Sequence, residues 1–348
     1  MSWQARLLSV SDLQPYLTDG ETLNFSAQVT ALIEHQKAHW QSLKEGYEAL
    51  VQIETKWLEL DGSSVVVQHN AKRIRSTAAA VDKASIQGRR CFLCAENLPH
   101  EEKGIAYDED YIILCNPFPV LDKHLVIAHR SHVEQKIADR VEAMIALARD
   151  LGEEYFVLYN GAECGASAPD HFHLQALSRE LLPIKEALDK SDPPVAEDCN
   201  ICADMARGNF ELFTLTDFGR SIVVFRGANR VELAFWIYRI IEELGRATSK
   251  GEALLNLICY ADRGVWTAML FPRARHRPAS FYAEGAEQIV ISPGAVDMAG
   301  VIVVPRHEDY EKITAELIEQ IFSEVSADAA FVDEIVERVC AETMNVGV

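Results

Sequence analysis

The sequence predicts an α+β chain made of two similar units, each a mainly antiparallel sheet with packed helices. Three observations carry this. One order of segments, strand, turn, strand, helix, strand, strand, is readable from Tyr111 to Gln175 and again from Phe210 to Phe271. Between the copies, the charged stretch 187–200 with Asp192-Pro193-Pro194 reads as a linker. At 348 residues, with 49% hydrophobic and 8% aromatic content, the chain has the length for about two domains with a sizeable core.

In chain order, Val29, Leu32, Ile33, His39, Trp40, Leu43 and Tyr47 recur at helical spacing between about Asn24 and Trp57. The turn signal Asp61-Gly62 and a strand at Val65 to Val67 follow. Residues 68–77, with Lys72, Arg73 and Arg75, are a basic stretch in an acidic protein, suited to a phosphate or nucleotide and equally to a solvated loop. Strands are expected at Tyr111 to Cys115 and His124 to Ala128, around a turn at Asn116-Pro117-Phe118-Pro119. Ser131 with Glu134 three residues on predicts a capped helix from there to Leu151, and strand Tyr155 to Tyr159 comes next. In the second copy the strands are Phe210 to Leu215, Ile222 to Phe225, Leu254 to Tyr260 and Val265 to Phe271, with a helix through Glu232 to Leu244. Duplication is the economical explanation, although the ordinary grammar of α+β chains also produces such an order. The expected boundaries are a helical segment at 1–60, a first unit at 61–186, a linker at 187–204 and a second unit at 205–348.

A net charge of −20 argues against sequence-independent nucleic-acid binding, which depends on Lys and Arg neutralising phosphates, and against docking on anionic membranes. No apolar run approaches transmembrane length and the start Met-Ser-Trp-Gln-Ala-Arg has no signal-peptide core, so a cytoplasmic location is expected. The eight cysteines are then reduced thiols or metal ligands.

The most informative stretch is Asn160 to Gln175, a small-residue loop running into His171-Phe172-His173-Leu174-Gln175. Side chains at i, i+2 and i+4 of a strand share one face, so His171, His173 and Gln175 project together while Phe172, Leu174 and Ala176 face a core. A neutral imidazole is a competent nucleophile near pH 7 without a separate base. Gln175 offers amide N–H groups to phosphoryl oxygens, and the loop of Gly161, Gly165 and Ser167 offers backbone N–H groups and a hydroxyl. The alternative for two alternate histidines is a metal-ligand pair or a polar surface.

Cys91-Phe92-Leu93-Cys94 is a Cys-x-x-Cys knuckle whose thiolates fit adjacent corners of a zinc tetrahedron. His132 and His171 are the preferred partners, with His100, His124 and His129 as substitutes, and a redox pair is the competing reading. Zinc on His171 would pin the strand beside His173, a structural role. The pair Cys199 and Cys202 reads as structural or incidental.

On these residues the chain resembles the histidine-triad superfamily, in the transferase branch that contains galactose-1-phosphate uridylyltransferase, diadenosine tetraphosphate phosphorylase and GDP-L-galactose phosphorylase. The resemblance runs from about Gln68 to Arg306. The knuckle, His132 and His171 are similar to the zinc ligands of the uridylyltransferases. Gly165-Ala166-Ser167 and the His-x-His-x-Gln strand are closer to the phosphorylases, and the segment from Ser292 to Gly300, continuing to Tyr310, is similar to GDP-hexose phosphorylases. The resemblance implies tandem HIT-like units and attack by His173 on the α-phosphorus of a nucleotide sugar or dinucleoside polyphosphate. Inorganic phosphate or a sugar phosphate would then take the nucleotidyl group from the histidine. It also implies phosphate contacts from Ser167 and Asn160, nucleotide contacts from Arg73 and Arg75, and a dimer or a compact monomer. The chain departs from the uridylyltransferase pattern in two places: it has one residue more between Ser167 and His171, and Phe172 stands where they have proline. The second half has no His-x-His, so one active and one supporting half are expected. There Arg273, Arg275 and Arg277 suggest either an acceptor-phosphate patch or a solvated surface.

Overall fold

The computed structural model describes residues 2–17, 24–79, 83–190, 210–215, 218–248 and 252–346. The helical periodicity of the N-terminal region resolves into two helices, α1 (Phe25–His39) and α2 (Gln41–Leu50). They break at Trp40, which is extended (φ −128°, ψ 102°) and buried. The chain then leaves the helical region earlier than its spacing suggests. A hairpin of β1 (Glu54–Leu60) and β2 (Ser63–His69) turns at Asp61-Gly62, where Gly62 has φ 74°. Positive φ is the conformation glycine adopts without strain.

The first unit contributes β3 (Gly104–Tyr107), β4 (Tyr111–Cys115), β5 (Leu125–His129), α3 (Val141–Asp150), β6 (Tyr155–Asn160) and β7 (His173–Ser178). After α4 (Pro183–Lys190), the second unit contributes β8 (Phe210–Leu215), β9 (Ile222–Gly227), α5 (Arg230–Thr248), β10 (Leu255–Asp262) and β11 (Val265–Pro272). These strands form one nine-stranded sheet in the order β3-β4-β5-β7-β6-β10-β11-β9-β8, antiparallel throughout. The order β4-β5-β7-β6 is mirrored by β8-β9-β11-β10, and the two sets meet where β6 pairs β10, Asn256 opposite Asn160. Two units are thus present in the chain, but they share one sheet. Beyond them lie α6 (Ala295–Met298), β12 (Val301–Val304), α7 (Ala315–Val325) and α8 (Ala329–Val346). β12 joins β2 in parallel, giving a second sheet in the order β1-β2-β12.

Alternation along the strands assigns the faces. Tyr155, Val157 and Tyr159 pack into one core with residues of α1, α3, α5 and α8, while Phe156 and Leu158 pack into the other with β2, β12, α4 and α7. A smaller apolar cluster of Leu93, Leu98, Ile112, Leu114 and Ala128 continues that second side toward β3.

Two local expectations are corrected. The Ser131 capping box does not form: the chain is irregular to Ile137, a 3-10 turn occupies Ala138–Arg140 and α3 begins only at Val141. Other bonds hold residues 131–137, since Phe172 N–H donates to Val133 O (2.8 Å), Gln135 grips the start of β7, and Glu134 pairs with Lys136. The start of the expected linker is helical, because α4 docks Leu182, Ile184 and Leu188 under β2 and donates Ile184 N–H to Ala299 O (3.1 Å). The rest of it, with Cys199 and Cys202, lies outside the described residues. No helix among the described residues is long and apolar enough to cross a membrane.

Candidate active site

The second face of the sheet carries a cavity of about 670 Å³, walled by the β7 strand, the glycine loop 165–167, the turn 72–79, the 115–126 hairpin and the segment 276–297. His173 opens β7 and is 4% exposed. Its backbone is fixed on both sides by Gln135, which accepts from His173 N–H (2.8 Å) and donates to His173 O (3.1 Å). Its Nδ1 lies 2.9 Å from His171 O, so Nδ1 carries the proton and Nε2 is left as a lone pair with no partner among the described residues. Burial pushes the imidazole down to about 4, which keeps it neutral at pH 7.

Gln175 shares the cavity wall with His173. Val120 N–H donates to His124 Nδ1 (3.2 Å), so His124 bears its proton on Nε2 and donates it to Gln175 Oε1 (2.7 Å). That bond fixes the amide with its NH₂ toward the cavity. Burial pushes His124 down to about 3, so this donor stays neutral. In the sequence His124 was a substitute metal ligand; here it orients Gln175, and the signal was its place just before β5, the strand in which Val126 pairs Gln175.

The glycine loop is shaped by close approach. Gly165 has φ 98°, and a Cβ there would stand 2.8 Å from Gly294 Cα, so the loop and the segment from the second half touch backbone to backbone. Gly165 and Ser167 line the cavity, whereas Gly161 does not: it sits against Leu255, whose carbonyl accepts its N–H at 3.1 Å. Asn160 also lines the cavity, with its Oδ1 engaged by Asn256 Nδ2 (2.9 Å) and Ala295 N–H (2.8 Å). Arg73 donates to Phe118 O (3.1 Å), and its buried Nε has no partner. The Arg75 side chain lies outside the described residues.

The three arginines of the second half part company. Arg273 is buried and fully spent on structure, binding Val325 O (3.0 Å), Pro293 O (2.9 Å), His276 O (3.2 Å) and Asn256 Oδ1, so it is no phosphate ligand. Arg275 is exposed. Arg277 lines the cavity beside His276, donating to Ser292 Oγ (3.0 Å) and to the carbonyls of Thr77 (3.1 Å) and Ala79 (2.9 Å). It thereby ties the 276–297 segment to the basic turn of the first half. Sequence reasoning missed Arg277's partners and the whole role of Asp297. That carboxyl, pushed up to about 6 by burial, accepts from Gly294 N–H (2.9 Å) and Val303 N–H (2.9 Å) and holds the segment's bend.

Beside the cavity, Cys91 Sγ, Cys94 Sγ and one nitrogen each of His132 and His171 lie within 4.8 Å of one another. His171 Nδ1 is 3.3 Å from Cys91 Sγ and 3.6 Å from Cys94 Sγ, and His132 Nδ1 is 3.3 Å from Cys94 Sγ. The outer nitrogens are oriented too: His171 Nε2–H donates to His129 O (2.7 Å), and His132 Nε2 is 3.7 Å from Asp170, which accepts from Arg89 (2.6 Å). Two thiols and two unprotonated Nδ1 atoms converging this way can hold a metal ion. Burial and the neighbouring Cys91 push the Cys94 thiol up to about 12, so a bound cation would be needed to keep this sulfur as a thiolate. His100 is not part of this group, and His129 turns its Nδ1 to Ser131.

The fold is similar to that of solved nucleotide phosphorylases. More particularly, residues 194–345 match the family model described as GDPGP1-like, C-terminal domain, and residues 32–178 match that described as domain of unknown function DUF4922. Among solved structures, yeast Ap4A phosphorylase Apa2 in complex with AMP superposes with a TM-score of 0.52 at 16% identity, over 82% of this chain and 95% of that one. The same enzyme in complex with Ap4A gives 0.52 at 16%, over 83% and 97%. For an ADP-glucose phosphorylase from Arabidopsis thaliana with bound ADP-glucose the TM-score is 0.33 at 13% identity, over 79% of this chain and 100% of that one. No curated protein matches the sequence.

Proposed function

We propose that the protein is a nucleotidyltransferase or phosphorylase that acts on a nucleotide sugar or dinucleoside polyphosphate by double displacement through His173. One observation carries this: a neutral imidazole with its Nδ1–H bound to the His171 carbonyl and its Nε2 unpartnered in a cavity, beside a glutamine amide held by His124. The structural likeness to an Ap4A phosphorylase supports the reading. Nε2 attacks the α-phosphorus, a P–N bond forms, and the P–O bond to the leaving sugar phosphate or nucleotide breaks. An oxygen of inorganic phosphate or a sugar phosphate then attacks the same phosphorus and releases Nε2. The Gln175 amide and the loop N–H groups of 165–167 stabilise the phosphoryl oxygens, with Ser167, Asn160, Arg73 and Arg75 as further contacts. Gln175 has no acidic proton to offer, which suits transfer to phosphate over water. Arg277 closes the wall. The metal held by Cys91, Cys94, His132 and His171 is zinc, in a structural role. In this reading the first unit carries the chemistry and the second completes the cavity.

Incubation with α-labelled UDP-, GDP- and ADP-sugars and dinucleoside polyphosphates should yield an acid-labile protein phosphoramidate that is discharged by phosphate faster than by water. Absence of label with every donor rules out the covalent route, and discharge equally fast by water makes the protein a hydrolase. A His124→Ala variant should keep donor affinity but lose about 10- to 100-fold in turnover, because the freed amide no longer points at the phosphoryl group. Unchanged turnover would remove the orienting role of His124.

A further inference from the structure

The second unit reaches His173 from the far face of the sheet as well as across the cavity. The ladder between β6 and β7 ends at the pair Leu158 and Gln175. Two residues on, where the same register would set Asn160 against His173, the side-chain amide of Gln135 stands between the strands. Its Nε2 donates to Asn160 O (2.9 Å) and to His173 O (3.1 Å), and its Oε1 accepts from His173 N–H (2.8 Å). Gln135 is thus a peg that sets the place of the strand end from which the imidazole projects. It is buried, yet it belongs to an irregular run with no ladder or helix of its own. Bonds from elsewhere must hold the peg.

They come from Glu252, just before β10 in the second unit. Its Oε2 accepts from the Tyr159 hydroxyl (2.6 Å), which also lies 2.9 Å from Gln135 O. Its Oε1 accepts from Ile137 N–H (2.6 Å), and Ala138 N–H reaches the same carboxylate. Ile137 opens the 3-10 turn that leads into α3, so these N–H groups have no acceptor within the turn. Glu252 caps that end in place of the absent Ser131 box, with a charge suited to a helix N-terminus. One carboxylate therefore holds the run at both ends of the peg, at 137–138 directly and at Gln135 through Tyr159. Tyr159 is itself fixed by stacking on Phe172, the rings 6.1 Å apart, between the two histidines of the strand. A cap alone could come from any local acceptor; here its bonds converge on Gln135, whose own bonds end at His173.

Resting on the reading of His173 as the nucleophile, we infer that Glu252 is a positioning residue for the transfer: it seats Gln135 and so fixes where His173 Nε2 stands relative to the phosphorus. The path runs from Glu252 through Tyr159 and Gln135 to the His173 backbone, and of these four only His173 lines the cavity. A change at Glu252 therefore leaves the donor's binding surface intact and displaces the attacking atom. In-line attack tolerates little displacement, since about 1 Å costs on the order of 10²-fold. The second unit thus does more than cover the cavity. It aims the nucleophile of the first.

Two measurements on the full chain test this: hydrogen exchange of the His173 amide by NMR, and single-turnover labelling by α-labelled UDP-, GDP- and ADP-sugars and dinucleoside polyphosphates. Glu252→Ala should speed exchange at His173 at least about tenfold and slow labelling about 10- to 100-fold, with the half-saturating donor concentration within about threefold of wild type. Glu252→Gln keeps an acceptor for Ile137 N–H and a donor for the Tyr159 oxygen, and should restore labelling to within about threefold. In a Gln135→Leu background, Glu252→Ala should cost less than about twofold more, because the link it acts through is gone. Wild-type exchange or wild-type labelling in Glu252→Ala, a loss confined to donor affinity, no rescue by Glu252→Gln, or a full cost in the Gln135→Leu background each overturns the inference. Wild type that takes no label from any donor removes the transfer reading instead, and exchange at His173 then decides alone whether Glu252 seats it. Should Glu252→Ala fail to fold, Tyr159→Phe, which removes only the hydroxyl between Glu252 and Gln135, carries the same two measurements.

Discussion

A His173→Ala variant is expected to lose covalent labelling completely and to lose at least about 10⁴-fold in turnover, the largest effect of any single change in this chain. The loss should appear in kcat with donor affinity nearly intact, because the imidazole contributes an attacking atom and little of the cavity surface that binds the nucleotide. Folding should survive, since the hydrogen bonds that place the start of β7 run from Gln135 to the His173 backbone, and these remain in alanine. Circular dichroism and metal content will therefore match wild type while the label disappears. A variant that still carries label would transfer the nucleophile's role elsewhere, to His124 or His276, which line the same cavity.

The second large effect concerns the metal. Wild type should contain one equivalent of zinc by elemental analysis, and Cys94→Ala or His171→Ala should lose it. The four donors come from the knuckle before β3, the irregular run before α3 and the residue that leads into β7. Removing the ion releases all three segments at once. It also leaves two thiols and two imidazoles with no shared partner. A loss of about 4 kcal/mol, lowering the melting midpoint by roughly 10 °C, is the expected size. Activity should fall as well, because His171 O is the acceptor that fixes the His173 tautomer. Metal-free wild type that melts at the same temperature would end the structural role assigned to this cluster.

Much of this arrangement was legible in the residues. The strand periodicities of 111–115, 155–159, 210–215 and 265–271 translate into β4, β6, β8 and β11 with ends that move by at most a residue. An apolar run between turn signals is a local property, and these strands show one because most of their residues face one core or the other. The four donors from Cys91 to His171 were also readable, since a Cys-x-x-Cys spacing restricts its partners to a few histidines. What could not be read was set by contacts distant in sequence. The Ser131 capping box has the right local pattern, yet Phe172 and His173 claim the backbone and side chains of Val133 and Gln135. Arg273 and Arg277 carry the same charge four residues apart, but one is consumed by Asn256 and Val325 and the other faces the cavity. Nor does any local signal reveal that Glu252 braces the run around Gln135, because the two meet only through the fold.

The pairing of β6 with β10 turns what would be a subunit boundary into the interior of one polypeptide. Two separate copies joined edge to edge would be identical by descent, so any change that improved one as a reacting floor would be imposed on the other as well. A single chain lifts that constraint. The second unit repeats the strand order of the first while its side chains differ, with Asn256 and Arg273 anchoring the 276–297 segment over the first unit. Symmetry persists in the main chain and is broken in the chemistry, so floor and cover can evolve independently although they fold as one sheet.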